Sequence, residues 1–242
     1  MHRETSRGAP AVTKVVKFIG RDVIEENVKL AEKLRRLYDE AGVRVLEFLG
    51  GPGSGKTTLI ERLMERLTRD YEPDEIAYIG GDVATTLDTE RIARYGVRHV
   101  QINTGGTCHL EVPHVEAAIK ALGGPEALRQ LRVMVIENVG NIICPFNFPL
   151  GAHARIMVAG VTEGEDKFIK HPISTKVSDV IVINKIDLAP YVGINLDKMV
   201  QDAKRINPRA PVFLVSAKTG EGVDKLYEYL RANIIEAGRA TG

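Results

Sequence analysis

The chain has two cysteines, no tryptophan and only 5% aromatic residues, and its 33 Lys and Arg nearly cancel its 32 Asp and Glu. Each scarcity excludes something. Two cysteines, Cys108 and Cys144, are too few for a disulfide framework, so they are read as free thiols in a reducing compartment. A formal net charge of +1 provides no broad attraction to nucleic acid or to an anionic membrane, so any specificity has to be local. No apolar run approaches the roughly 18 residues of a spanning helix, and the polar opening MHRETSRGAP lacks the apolar core of a signal peptide. The expectation is a cytoplasmic protein with no membrane span and no nucleic-acid partner.

What remains is an ordinary globular composition, 44% hydrophobic and 27% charged over 242 residues, enough for one large α/β domain. Residues 1–21 show no sustained periodicity and read as a flexible leader, with VVKFI near Val15 as a possible short strand or anchor. From Asp22 to Ala41, Ile24, Val28, Ala31, Leu34, Tyr38 and Ala41 recur at three- or four-residue steps before Gly42, which predicts an amphipathic helix. Beyond it, VRVLEFL, EIAYIG, VRHVQI, RVMVI, RIMVAGV, DVIVIN and PVFLVS alternate with helical stretches, including Pro113 to Leu122 and Gly222 to Ala237. Seven such runs predict a mostly parallel seven-stranded sheet with helices on both faces, and residues 22–242 as one domain.

Gly50 to Thr57, GGPGSGKT, matches G-x-x-x-x-G-K-[ST], directly after the strand VLEFL and before the helical TTLIERLMERL. That is the context a P-loop requires. The glycines let consecutive amides of Gly51, Gly53, Ser54 and Gly55 turn toward phosphate oxygens, and the helix beginning at Lys56, Thr57 and Thr58 adds its positive end. Lys56 is expected to bridge the β and γ phosphates, and Thr57 to place its hydroxyl on Mg²⁺. Two carboxylates stand where a γ-phosphate sensor belongs. Asp82 ends EIAYIGGD, and Glu137 ends RVMVIE ahead of Asn138-Val-Gly140 in a Walker B-like turn. Either could hold Mg²⁺ or orient the attacking water. Asp88 is a weaker third candidate that could instead cap the helix TERIARYG.

Phosphates do not distinguish ATP from GTP, so the base has to be read elsewhere. DVIVI runs into Asn184-Lys185-Ile186-Asp187, and a carboxylate at Asp187 accepts two hydrogen bonds from guanine N1 and N2, donors that adenine does not present together. Adenine would leave that carboxylate desolvated and unpaired, at a cost of several kcal/mol. Asn184 is expected to tie this loop to the P-loop, and the Lys185 stem to lie along the base. The next strand ends in Ser216-Ala217-Lys218, whose backbone suits the guanine oxygen. The substrate expected from the two motifs together is GTP.

Asn103-Thr-Gly-Gly-Thr-Cys108-His109-Leu follows one strand and Asn141-Ile-Ile-Cys144-Pro145 follows another, at the sheet edge where nucleotides bind. Thiolate and imidazole suit Zn²⁺ or Ni²⁺. Adjacent Cys108 and His109 are poorly spaced for a closed structural finger, so a transient site completed by Cys144, water or another subunit is implied. Buried structural thiols are the plainer alternative. His99, His114, His153 and His171 are candidate extra ligands, more simply read as surface or polar-network residues. Thr162 to Pro172 either faces a second subunit or forms a solvated loop and helix start.

From about Asp22 onward the chain resembles the hydrogenase nickel-incorporation GTPases usually called HypB, in GGPGSGKTTLIERL, GDV, NTGGTCHL, ENVGNIICP, NKIDLA and NPRAPVFLVSAKTGEG. The resemblance implies that Cys108, His109 and Cys144 bind Ni²⁺ or Zn²⁺ and that two subunits pair around GTP. It also implies that the metal passes to a hydrogenase large-subunit precursor by way of a HypA-like zinc-containing nickel chaperone. There are two departures from the family pattern. The leader has His2 but no Cys-x-x-Cys-Gly-Cys or histidine-rich tract, so no second high-affinity site is expected there, and CHL continues Glu-Val-Pro where Asp-Ala is expected. Two rival readings are a urease-type nickel-accessory GTPase and a GTP-dependent regulatory module whose thiols are structural.

Overall fold

The computed structural model describes residues 21–83 and 85–237, so the leader, VVKFI and His2 lie outside the described residues. The chain opens with α1 (Arg21–Ala41), β1 (Arg44–Leu49), α2 (Lys56–Asp70), β2 (Ile76–Asp82), α3 (Leu87–Ala93) and β3 (Arg98–Asn103). It continues through α4 (Val112–Ala121), α5 (Pro125–Leu128), β4 (Val133–Glu137), α6 (Cys144–Asn147) and β5 (Ala154–Gly160). The remainder is α7 (Lys167–Lys170), α8 (Pro172–Lys176), β6 (Val180–Asn184), α9 (Ala189–Val192), α10 (Leu196–Ile206), β7 (Val212–Leu214) and α11 (Val223–Leu230). No helix among the described residues is long and apolar enough to cross a membrane.

The seven strands form one sheet in the order β3-β2-β4-β1-β5-β6-β7, and every neighbouring pair is parallel. Strand alternation sends successive side chains to opposite faces. On one face Phe48, Tyr78, Val135, Ile156 and Val182 pack with Leu59, Leu63 and Leu67 of α2 and Leu226 and Leu230 of α11. On the other, Val45, Ile79 and Ile136 meet α1 and α4, while Leu49, Met157 and Ile183 meet Met199 and Ala203 of α10. The expected parallel sheet, covered on both faces, is therefore the observed one.

Some boundaries differ for local reasons. The stripe on α1 docks only through its second half: Ala31, Leu34 and Tyr38 are buried, but Ile24 and Val28 are exposed. Asn27, Arg35 and the Tyr38 hydroxyl hydrogen-bond to backbone carbonyls of residues 149–152, anchoring α1 polar-side as well as apolar-side. PVFLVS is shorter as a strand than its apolar run. After Leu214 the Val215 carbonyl accepts from Ile186 and the Ser216 amide donates to Glu221, which bends the chain out of the ladder. In α3, Thr86 rather than Asp88 holds the capping position, and Asp88 sits within the first turn.

Candidate functional site

The carboxyl ends of β1, β2, β4 and β6 converge, and a cavity of about 460 Å³ opens there, lined by Lys56, Thr57, Asp82, Asp88, Glu137 and Lys185 among others. Open α/β sheets place ligands at this edge because every strand end and helix start points toward it. Gly53 and Gly55 have φ of 72° and 90°, and a Cβ on Gly55 would lie 2.5 Å from the Asn184 amide nitrogen, so the loop's curl and its contact with β6 both require glycine. Gly51 packs against the Glu163 carboxylate, which itself accepts from the Gly160 amide and pairs with Lys167 at 2.7 Å. Ser54 is fully buried and its Oγ has no hydrogen-bond partner.

Lys56 folds over the loop, donating to the carbonyls of Gly50 (3.1 Å) and Gly51 (3.3 Å). Burial holds its ammonium below the usual lysine range, opposed first by the charge of Glu137. Thr57 Oγ1 donates to Glu137 Oε1 at 2.7 Å, and the Tyr78 hydroxyl donates to Glu137 Oε2, also at 2.7 Å. Burial raises the Glu137 carboxyl, with Lys56 and the two hydroxyls acting against it. A threonine hydroxyl and a carboxylate in contact beside a lysine form an oxygen-rich corner of the kind a hard divalent cation accepts. Asp82 lines the same cavity and accepts from the amide and hydroxyl of Thr85. The Thr58 hydroxyl accepts from Arg91, which also pairs with Glu61.

The loop of residues 184–187 and the loop of residues 216–218 are joined through one carboxamide. Asn184 Nδ2 donates to the Ser54 carbonyl at 2.9 Å, and its Oδ1 accepts from the amides of Lys185 and Ala217. Lys185 adopts φ 64°, the one positive φ outside glycine among the described residues. Asp187 Oδ1 is buried with no hydrogen-bond partner among the described residues, an acceptor left open for a donor from outside. Ser216 is fully buried with its Oγ accepting from Thr219, while Arg62 of α2 donates to the carbonyls of Ala217 and Lys218. Arg62, Tyr78 and Glu163 were not readable from sequence as site residues, since the groups they meet there, Ala217 and Lys218, Glu137, and Gly51, are far away along the chain.

A second cluster lies beside the first. One ligand atom each from Cys108, His109 and Cys144 falls within 4.8 Å of the others, and this is the only such group of three among the described residues. His109 Nδ1 is 3.7 Å from Cys108 Sγ, its ring stacks on Phe148 at 4.3 Å, and its Nε2 is 3.2 Å from Glu111 Oε1 without hydrogen-bond alignment. Burial holds the imidazole below the usual histidine range, against the opposing charge of Glu111, which favours the neutral form that ligates metal. Glu111, the departure noted after CHL, thus supplies a carboxylate next to the ring nitrogen facing away from the thiol. A carboxylate in that place orients a ligating histidine. The hydrogen-bonded Cys108 sulfur, together with burial, raises the Cys144 thiol.

The other histidines are committed elsewhere. His114 Nδ1 accepts from the Glu111 amide, His99 contacts the Val97 carbonyl, and His153 bridges the Val45 amide and Asp39. His171 immediately precedes α8 at its capping position and stands outside the cluster. The two sites themselves are physically joined. Gly50, the first residue of the P-loop, forms a bridge with Asn141, whose side chain accepts from the amides of Ile143 and Cys144. Gly140 packs directly on Pro52.

These features define a P-loop nucleotide-binding protein with a thiol-imidazole cluster beside the phosphate loop. Residues 45–214 match the model of the CobW/HypB/UreG nucleotide-binding domain family. The probable hydrogenase maturation factor HypB of Methanocaldococcus jannaschii is 46% identical over 218 residues, 90% of this chain and 96% of that one. A hydrogenase/urease maturation factor HypB of Helicobacter pylori is 33% identical over 229 residues, 94% of this chain and 92% of that one. Among solved structures, HypB from Archaeoglobus fulgidus superposes with a TM-score of 0.77 at 41% identity, covering 86% of this chain and 98% of that one. HypB from Helicobacter pylori in complex with nickel gives 0.77 at 34%, covering 85% and 93%. The chain belongs to the HypB family of hydrogenase maturation factors.

Proposed function

We propose that this chain, with residues 22–242 acting as one domain, is a GTP-hydrolysing metallochaperone that delivers nickel during maturation of a nickel–iron hydrogenase. The observation that carries the reading is the three-ligand cluster of Cys108, His109 and Cys144, connected to the P-loop through the Gly50–Asn141 bridge. Nickel is the cargo. Two thiols and a neutral imidazole suit Ni²⁺ or Zn²⁺, with Cys108 and Cys144 as thiolates and His109 ligating through Nδ1.

In the nucleotide site, Lys56 leaves the Gly50 and Gly51 carbonyls to reach the β and γ phosphates, and the amides of Gly53, Ser54 and Gly55 take phosphate oxygens. Thr57 with Glu137 or Asp82 is the oxygen set for Mg²⁺, which when bound offsets the charge of the transferring phosphoryl group. Whichever carboxylate is not engaged there orients the attacking water. Asp187 receives N1 and N2 of guanine on its unpartnered carboxylate, and Ala217 presents its loop to the guanine oxygen. GTP favours a homodimer, and a HypA-like zinc-containing nickel chaperone and the hydrogenase large-subunit precursor receive the metal in the cytoplasm. The Helicobacter pylori relative's name supports a second reading, in which the same device also serves urease.

A ligand shifts a two-state equilibrium only by its differential affinity. Nickel titrations in GDP and in a non-hydrolysable GTP analogue, with molecular mass measured in each, are therefore expected to give unequal affinities and a larger mass with the analogue. Equal nickel affinity in both states would overturn the coupling.

A further inference from the structure

Glu47 stands in the middle of β1, fully buried, with the apolar Val45 and Leu46 before it and Phe48 and Leu49 after it. A carboxylate there incurs a heavy desolvation cost unless its oxygens are engaged. Both are. Oε1 accepts from Asn138 Nδ2 at 2.9 Å, and Oε2 accepts from Arg155 Nε at 3.3 Å.

Asn138, also buried, uses its Oδ1 to accept the Leu110 amide at 2.9 Å, so it grips the chain directly after Cys108 and His109. Arg155 lies beside Glu47 in register on β5 and sends its remaining nitrogens to the carbonyls of Pro145 (2.9 Å) and Phe146 (3.2 Å), directly after Cys144. One buried carboxylate thus reaches both ligand-bearing segments, through one intermediary each. Its own strand ends at Leu49, next to Gly50 of the P-loop.

We propose that Glu47 is the positioning residue of the metal site, setting the separation between the Cys108–His109 segment and Cys144 through Asn138 and Arg155. The inference rests on the cargo reading above for its nickel arm only. Groups behind first ligands typically change metal affinity by 10–100-fold when lost. Glu47→Gln keeps the shape and an acceptor for Asn138 but removes the charge facing Arg155. Arg155→Lys keeps a cation near Glu47 but cannot also span to the two carbonyls, and its more peripheral position protects folding if the core variant fails.

Two readouts decide. The first is nickel affinity, followed by the thiolate-to-nickel absorption band. The second uses metal-free protein and the rate at which diamide couples Cys108 to Cys144. In that reaction the two S–H bonds are lost, one S–S bond forms, and diamide takes up two protons and two electrons to become its hydrazine. For both variants nickel affinity is expected to fall by about 10-fold or more, with thiol coupling slowed several-fold and melting still cooperative. Folded variants that bind nickel within about twofold of the parent, against the loss of about 10-fold or more expected when a group that holds the ligands from behind is removed, and couple their thiols at the parent rate overturn the proposal. If the parent chain itself takes up no nickel, the cargo reading falls, and the coupling rate alone still decides whether Glu47 spaces the two segments.

Discussion

The nucleotide site and the thiol-imidazole cluster sit side by side on one sheet edge, but they are built differently. Around the phosphate loop, Lys56, Thr57, Glu137, Asn184 and Ser216 are all buried and held by hydrogen bonds, so the frame of the site is set before any ligand arrives, with the Lys56 ammonium left to turn from the loop carbonyls onto the phosphates. In the cluster, Cys108 is exposed, Cys144 is half-buried, and the three ligands come from two turns stiffened mainly from behind. A rigid cradle suits a ligand that is always present in one form or another. A looser, exposed set of thiols suits an ion that has to leave.

The largest effect expected from breaking this contrast is at Lys56. Lys56→Ala should lower GTP turnover by at least about 100-fold, because a single charge aimed at the transferring phosphoryl group has that worth or more. Nickel binding in GDP should survive, as titration will show. The converse change, Cys108→Ser with Cys144→Ser, should abolish the thiolate–nickel absorption band and hydrogenase maturation while leaving GTP turnover close to that of the parent. Maturation that survives this pair would favour the regulatory-module reading over metal delivery.

Asp187→Asn should weaken GTP on the order of 100-fold while admitting xanthosine triphosphate, whose base presents an acceptor where guanine presents its amino group. Competition binding with both nucleotides checks it, and retained guanine preference would refute the role given to Asp187. The smallest effect concerns His153, a histidine fixed where His109 is uncommitted. Burial, opposed by the hydrogen bond to Asp39 and aided by the charges of Arg35 and Arg44, lowers its pKa from 6.5 to about 4, and its Nδ1 accepts the Val45 amide. A depressed folded-state pKa means its contribution is complete above about pH 6.5 and lost as the pH falls toward about 4. Urea unfolding across that window should show a shallower acid limb for His153→Gln than for the parent, with nickel and GTP binding unchanged at pH 7.5.

The parts of the molecule that sequence displayed are those whose partners are near in the chain. Gly50 to Thr57, Asn184 to Asp187 and Cys108-His109 each carry their chemistry in a few consecutive residues, and the strands before them show as apolar runs. Glu47 was invisible because inside VRVLEFL a lone carboxylate looks like a solvent-facing position of a half-exposed strand, and only the neighbouring Arg155 and Asn138 explain it. Tyr78 and Arg62 were hidden in the same way. Ile24 and Val28 illustrate the opposite error, as helical spacing marks a face but not how far the sheet beneath it extends.

The bridge between Gly50 and Asn141 has a consequence that runs opposite to the usual direction of control. Thermodynamic linkage is symmetric, so if GTP alters the grip on metal by some factor, metal alters the grip on GTP by the same factor. A cell short of nickel would then hold a different fraction of this protein charged with nucleotide than a cell replete with it. The phosphate loop would serve as a gauge of metal supply as much as its trigger.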